Sequence, residues 1–82
     1  MASKYVDAKG NPIKPNNILS IYIKGKKRGE VLVKTLNRKK VIYRIHPEDN
    51  HLSENCCYLD EALEKASKVI LLKKTYSGPK TH

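Results

Sequence analysis

The 82-residue sequence contains no phenylalanine and no tryptophan, so its apolar core must be built from smaller side chains. Eight Leu, seven Ile and five Val supply that core, together with five Tyr. β-Branched residues favour strands over helices, which predicts a β-rich middle of the chain. At 39% hydrophobic and 30% charged residues the composition is globular. A single domain of this length leaves little room for a deep catalytic cleft.

Long apolar runs are also missing. No stretch approaches the roughly 20 apolar residues that a membrane-spanning helix needs, and the N-terminus lacks the apolar core of a signal peptide. We therefore expect a soluble, cytoplasmic protein with no membrane partner. The two cysteines, Cys56 and Cys57, are adjacent, which makes them poor candidates for a structural disulfide. Reduced thiols are consistent with the cytosol.

Sequence motifs of catalysis are absent. There is no P-loop, nucleophile elbow or HExxH sequence. A pairing of Cys56 with His46 or His51 is conceivable for nucleophilic chemistry, but nothing marks an oxyanion hole or an orienting third group. His46, His51, Cys56 and Cys57 also resemble a metal-ligand set, yet two adjacent thiols do not easily chelate one ion. We expect no enzyme activity, no metal and no other cofactor.

Charge is sorted into three blocks along the chain. Residues 1–45 carry twelve Lys or Arg against two acids, a net of +10. Residues 46–64 carry six acids and no Lys or Arg, a net of −6, and residues 65–82 carry five Lys and no acid, a net of +5. These blocks sum to the net charge of +9. A basic body of this kind indicates a polyanion ligand.

Three runs of alternating apolar residues predict an antiparallel meander over 18–23, 30–35 and 40–45. Turn formers at 7–12 open the domain with a short ribbon or tight loop. In the first run Leu19, Ile21 and Ile23 share one face. In the third run the alternation predicts that Val41, Tyr43 and Ile45 point inward, and that Ile42 and Arg44 point outward.

A short helix is predicted after Pro47 ends the meander. Its apolar residues, Leu59, Ala62, Leu63 and Ala66, recur at helical spacing. The block 69–72 is either a continuation of that helix or a closing strand, and we favour the strand. Residues 75–82 have no periodicity and are predicted to be a flexible C-terminal tail after a single domain over 1–74.

Two basic loops are the candidate binding sites. The predicted loop 24–29 holds Lys24, Lys26, Lys27 and Arg28, the next loop holds Arg38, Lys39 and Lys40, and Arg44 lies on the third strand. Flexible cations beside glycines suit phosphate contacts, although surface turns are often basic without a ligand. Tyr22 lies opposite the apolar face of its strand, where its ring either stacks on a base or packs within the sheet.

Residues 7–14, followed by the three strands, look like the start of small SH3-like barrels of the KOW and Tudor type. In particular, Lys24-Gly25 to Arg28-Gly29-Glu30-Val31 is similar to the KOW turn, in which a basic glycine-bearing loop precedes a Gly-x-Val strand. The resemblance covers about residues 7–45, with 69–72 as the possible closing strand. Such barrels commonly bind RNA, DNA or proteins of transcription and translation, so the resemblance implies ligands of those classes.

These observations predict a mainly β fold of the α+β kind. It is a small, strongly twisted antiparallel sheet or SH3-like barrel of four to five strands, with one short helix before the last strand. The expected function is non-catalytic, monomeric binding of the RNA or DNA backbone. The alternative is a protein–protein interaction module, such as a transcription, translation or phage-type accessory protein. It would dock through its basic loops or its acidic segment 46–64.

Overall fold

The computed structural model describes residues 5–79. Its elements in chain order are β1 (Ile18–Ile23), β2 (Lys26–Leu36), β3 (Lys39–Ile45), β4 (Leu52–Tyr58), α1 (Leu59–Lys65) and β5 (Lys68–Lys73). The strands form one antiparallel sheet in the order β4-β3-β2-β1-β5. The prediction of a mainly β fold with one short helix before the last strand is confirmed, as is the closing strand itself.

The first two strand connections are tighter than the sequence predicts. Four central turn residues have positive φ: Lys24 (53°), Gly25 (79°), Asn37 (49°) and Arg38 (67°). Positive φ at both central positions is typical of the type I′ turn, whose twist matches that of the flanking strands. The predicted loop 24–29 is therefore wrong in length. Residues 26–28 begin β2, and residues 39 and 40 begin β3.

Both faces of the sheet bury apolar side chains. The larger cluster contains Ile13, Leu19, Val31, Val33, Ile42, Leu59 and Val69. The smaller one, on the opposite face, contains Ile18, Leu32 and Ile45. Since β4 and β5 are opposite edges, α1 must cross a face to connect them, and it covers the larger cluster through the fully buried Leu59.

The outward orientation predicted for Ile42 is wrong. Ile42 is only 6% exposed and belongs to the larger cluster, because α1 covers the face on which it lies. Val41 and Ile45 are buried on the other face, whereas Tyr43 is half-buried and Arg44 is exposed. The alternation in β3 was correctly read as a strand, but both of its faces are covered rather than one.

The N-terminal segment protects the β5 edge of the sheet. Val6 and Pro12 form an isolated bridge, which confirms the predicted ribbon. The backbone N–H of Ala8 donates to the Val69 carbonyl at 2.8 Å, and the Leu71 N–H donates to the Asp7 carboxylate at 2.9 Å. These bonds occupy backbone groups that an uncovered edge strand would leave open.

The acidic segment is part of the sheet. The sequence predicts a break and then a helix within residues 46–64, but residues 52–58 form the edge strand β4, most of which is exposed. Its polar composition gives no strand signal. Within the predicted tail, Tyr76 packs against the smaller cluster and its hydroxyl donates to the Asn50 carbonyl. Residues 80–82 of that tail lie outside the described part of the chain.

No helix in the described residues is long and apolar enough to cross a membrane.

Candidate functional site

The predicted basic residues lie at two opposite ends of the sheet. Strand β2 has eleven residues, so its ends are roughly 30 Å apart at about 3.3 Å per residue. Five of them lie toward the β1–β2 turn: Lys24, Lys26, Lys27, Arg28 and Arg44. The other three lie at the β2–β3 turn: Arg38, Lys39 and Lys40. The predicted residues therefore do not form one patch.

A groove of about 500 Å³ lies between the sheet and α1 toward the β1–β2 turn. Its apolar lining consists of Ile21, Ile23, Val31, Ile42 and Ala62, and its cationic lining of Arg28, Arg44 and Lys65. From the edge strand β4 it is lined by Ser53, Asn55, Cys56 and Cys57. Two arginines predicted as ligand residues thus meet at one concave surface. We call this surface the groove.

Two irregularities in strand pairing position the arginines. The β1–β2 register shifts after Ile21, so that Arg28 has no partner across the strand. The β3–β4 register shifts between Tyr43 and Ile45, which leaves three β4 residues facing the region around Arg44. Extra residues of this kind bend a strand and redirect its side chains.

Glycine is required between the two arginines. Gly29 has φ of 151°, a conformation that L side chains rarely adopt, and a Cβ there would lie 4.0 Å from Arg44 Nε. The absent side chain leaves the strand surface open beside the Arg44 guanidinium. A second cavity of about 400 Å³ is also lined by Arg28, Gly29, Glu30 and Arg44. The arginines are thus accessible from two cavities.

Several other predicted ligand residues have structural contacts. Lys27 Nζ lies 3.0 Å from the Glu30 carboxylate. Lys40 donates to the Ile13 carbonyl, and its ammonium lies 4.8 Å from the Tyr5 ring centroid. Burial lowers the pKa of Lys40, with a smaller contribution from repulsion by a neighbouring lysine. Lys40 therefore ties the N-terminal segment to β3 and is poorly placed to reach a ligand.

Tyrosine rings near both ends are covered by lysines. Lys68 Nζ lies 4.7 Å from the Tyr22 ring centroid, and Lys39 Nζ lies 5.1 Å from that of Tyr58. These distances fit cation–π contacts. One face of the Tyr22 ring is occupied in this way, which makes Tyr22 a weaker stacking candidate than the sequence predicts. By contrast, Arg28, Arg44 and Lys65 form no ion pair with any described residue.

Acidic side chains also occur toward the β1–β2 turn. The β3–β4 loop carries Glu48 and Asp49. Hydrogen bonds from the His51 side chain, and then from its backbone N–H, lower the pKa of Asp49. The His51 ring also stacks on His46, with centroids 4.0 Å apart. Asp49 is therefore already engaged within its own loop, and neither of these two acids lines the groove. Glu30 does line the groove, and its carboxylate lies 3.0 Å from Lys27 Nζ.

The Cys57 thiol shows no sign of activation. Burial raises the pKa of the Cys57 thiol, and the nearby Glu61 carboxylate raises it further. A raised pKa reduces the thiolate fraction, and the thiolate is the reactive form. Within residues 5–79, no three His, Cys, Asp or Glu side chains are grouped closely enough to hold a metal ion.

Sequence reasoning missed four polar residues of the groove: Glu30, Ser53, Asn55 and Lys65. Lys65 lies at the end of the predicted helix, but nothing in the sequence shows which part of the sheet that helix covers. Asn55 belongs to β4, the strand that was not recognised.

Comparison with protein-family models, with curated proteins and with solved structures finds no match for this chain. The resemblance to KOW and Tudor barrels therefore stays a prediction.

Proposed function

We propose that the protein is a non-catalytic module that binds the backbone of RNA or DNA at the groove. The observation that carries this proposal is the convergence of Arg28, Arg44 and Lys65 from three different elements. None of these cations is neutralised by an ion pair among the described residues. Unpaired cations around a concave surface favour a polyanionic ligand.

The chemistry of the two arginines supports phosphate as the contacted group. A guanidinium is planar and presents several N–H donors that match phosphate oxygens in a bidentate arrangement. Lys24 and Lys26 continue the basic surface along the β1–β2 hairpin, where both are exposed. A nucleic-acid strand that contacts the arginines would also reach these lysines. The proposed contact residues are therefore Lys24, Lys26, Arg28, Arg44 and Lys65.

A protein partner is the alternative, and the position of β4 favours it. This edge strand and α1 expose acidic side chains, including Glu54, Glu61 and Glu64. An exposed strand edge is a common docking site for an extended segment of another protein. A basic partner would suit this edge, which is lined by acids rather than by the cations of the groove.

Charge reversal at the two ends of the sheet tests the proposal. In the double variant Arg28→Glu/Arg44→Glu we expect the affinity for a fluorescein-labelled oligonucleotide to fall at least thirtyfold, because two charge-assisted contacts become repulsive, at about 1–3 kcal/mol each. The measurement is fluorescence anisotropy at fixed salt, with thermal melting to verify the fold.

The matched control reverses the same number of charges at the other end, in Arg38→Glu/Lys39→Glu. Equal losses in both double variants would show a diffuse charge effect and contradict a site at the groove. A second variant, in which Gln replaces Glu54 and Glu61, tests the β4 alternative. If this variant loses a basic protein partner and keeps its oligonucleotide affinity, β4 is a separate protein-binding site.

A further inference from the structure

The groove has a feature that phosphate binding does not use. Its lining is largely apolar, with the half-buried Ile21 and Ile23 on the sheet and Ala62 on α1. Phosphates contact the cations around such a surface but gain nothing from isoleucine side chains. A volume of about 500 Å³ lies within the range of roughly 300–1,000 Å³ that is typical of small-molecule sites.

We propose that the groove accepts an unpaired base of a single-stranded nucleic acid, while the surrounding cations hold the phosphates on either side. This inference rests on the proposed function and names its ligand as single-stranded. An unpaired base can enter a pocket freely, whereas a base of a duplex must first be unpaired and unstacked, which costs free energy. The apolar lining therefore favours the binding of a single strand over that of a duplex.

The arginines suit both parts of such a ligand. Arg28 and Arg44 come from separate strands and both line the groove. A guanidinium plane stacks on a base face and donates from its edge to phosphate. Gly29, which also lines the groove, has no side chain that would cover its apolar lining, here called the floor. Base and backbone can then be bound by the same two residues.

Asn55 supplies a partner for the base edge. Its side-chain amide forms no hydrogen bond with any described residue, while its backbone N–H donates to the Ser53 hydroxyl at 3.2 Å. An amide offers one donor group and one acceptor group, the pattern with which Asn contacts the edge of adenine. The groove thus combines an apolar floor, a polar edge and flanking cations.

The test uses three probes of the same length, about twelve nucleotides, each labelled with fluorescein. They are an intact DNA single strand, a strand in which every nucleotide is abasic, and a blunt duplex. The abasic strand keeps the phosphates and lacks the bases. We expect the intact strand to bind about five- to a hundredfold more tightly than the abasic strand, the range measured for stacked bases.

Substitutions separate the floor from the surrounding cations. Ile23→Thr keeps a β-branched residue in β1 and makes the apolar lining of the groove more polar. We therefore expect this variant to bind the intact strand about fivefold more weakly, with unchanged affinity for the abasic strand and the duplex. Asn55→Ala, on the exposed edge strand, should show the same selectivity. Leu36→Thr is the matched control, because Leu36 is an exposed strand residue far from the groove.

Each outcome decides one question. Equal binding of intact and abasic strands, or an Ile23→Thr effect on all three probes, would overturn base insertion and leave backbone binding in place. Failure of all three probes to bind would overturn the proposed function itself. If an acidic amphipathic peptide binds with Ile23→Thr sensitivity while the oligonucleotides show none, the groove is a peptide site and the base assignment is wrong.

Discussion

Single residues of the same chemical type have different roles in this protein. Lys40 is held by the Ile13 carbonyl and the Tyr5 ring, whereas Arg28 has no ion-pair partner in the described chain. Asp7 lies in a basic stretch of sequence, yet it is a buried structural residue with 5% exposure. Charge in the sequence therefore identifies candidates for a binding site, while their contacts decide which remain available.

Asp7 is the buried acid that joins the N-terminal segment to β5. Its carboxylate accepts hydrogen bonds from the backbone N–H groups of Lys9 at 3.0 Å, Asn11 at 2.7 Å and Leu71 at 2.9 Å. Burial by itself raises the pKa of Asp7, but these bonds, led by that from Leu71, outweigh it and lower the pKa below its usual value.

Asp7→Asn is predicted to destabilise the fold by about 1–3 kcal/mol, because the amide nitrogen would face backbone donors. The melting temperature should fall by roughly 5–20 °C. The pKa of Asp7 is lower in the folded than in the unfolded state, so its stabilisation is complete above the unfolded pKa near 4 and is lost as pH falls through the folded pKa.

The variant should therefore show a weaker dependence of stability on pH in the acidic range than the natural sequence. Thermal melting between pH 2 and pH 7 measures both effects. Glu48→Gln is the control, since Glu48 is an exposed carboxylate on a loop. An equal loss of stability in both variants at pH 7 would contradict the structural role of Asp7.

At the scale of elements, the two type I′ turns set the register of the hairpins. Such turns favour glycine and asparagine because both central residues have positive φ. The second turn has Arg38 at φ of 67°, a conformation that costs a residue with a Cβ about 1–2 kcal/mol. The first turn has Lys24 in the corresponding region, at 53°. Each hairpin therefore contains one residue that glycine would replace favourably.

Arg38→Gly is predicted to raise the free energy of unfolding by about 0.5–1 kcal/mol by relieving this conformation. Urea denaturation measures the gain, and oligonucleotide affinity should not change because Arg38 lies far from the groove. Lys24→Gly is the matched comparison: it relieves the first turn but removes a proposed contact, so its affinity should fall a few-fold. A larger loss of affinity for Arg38→Gly than for Lys24→Gly would place the nucleic acid at the β2–β3 turn and contradict binding at the groove.

At the scale of the whole molecule, the +9 charge is divided between separate surfaces. The basic residues of the two hairpin turns lie roughly 30 Å apart along β2. That separation exceeds the Debye length of about 8 Å at physiological salt. The far end therefore contributes little to attraction at the groove.

Four or five phosphate contacts at the groove predict a salt dependence of moderate size. For a single strand the logarithm of the binding constant should fall against the logarithm of salt concentration with a slope of about −3 to −4. Anisotropy titrations over a range of salt concentrations measure this slope. Arg28→Glu should reduce its magnitude by about one, and a slope near zero would contradict electrostatic binding.

Much of the secondary structure was predictable from local pattern. Alternating apolar residues located β1, the central part of β2 and β3, and helical spacing located α1. Strand β4 was not predictable, because Ser53, Glu54 and Asn55 have low strand propensity. The strand forms through the pairing of its other residues with β3, namely Leu52, Cys56, Cys57 and Tyr58. The predicted orientation of Ile42 was wrong for a related reason. Alternation of apolar residues along β3 cannot show that both faces of the sheet are covered.

Local pattern and composition were enough to predict the β-rich class, the approximate positions of the first two turns and the set of cations from which a binding surface can be built. These features depend on composition and on local backbone preferences, which are set by residues close together in the sequence. Local pattern could not show that Arg28 and Arg44 meet Lys65 at one groove while Lys40 is tied to the N-terminal segment. Such pairings join residues distant in sequence, and they depend on the path of α1 across the sheet and on register shifts at its edges.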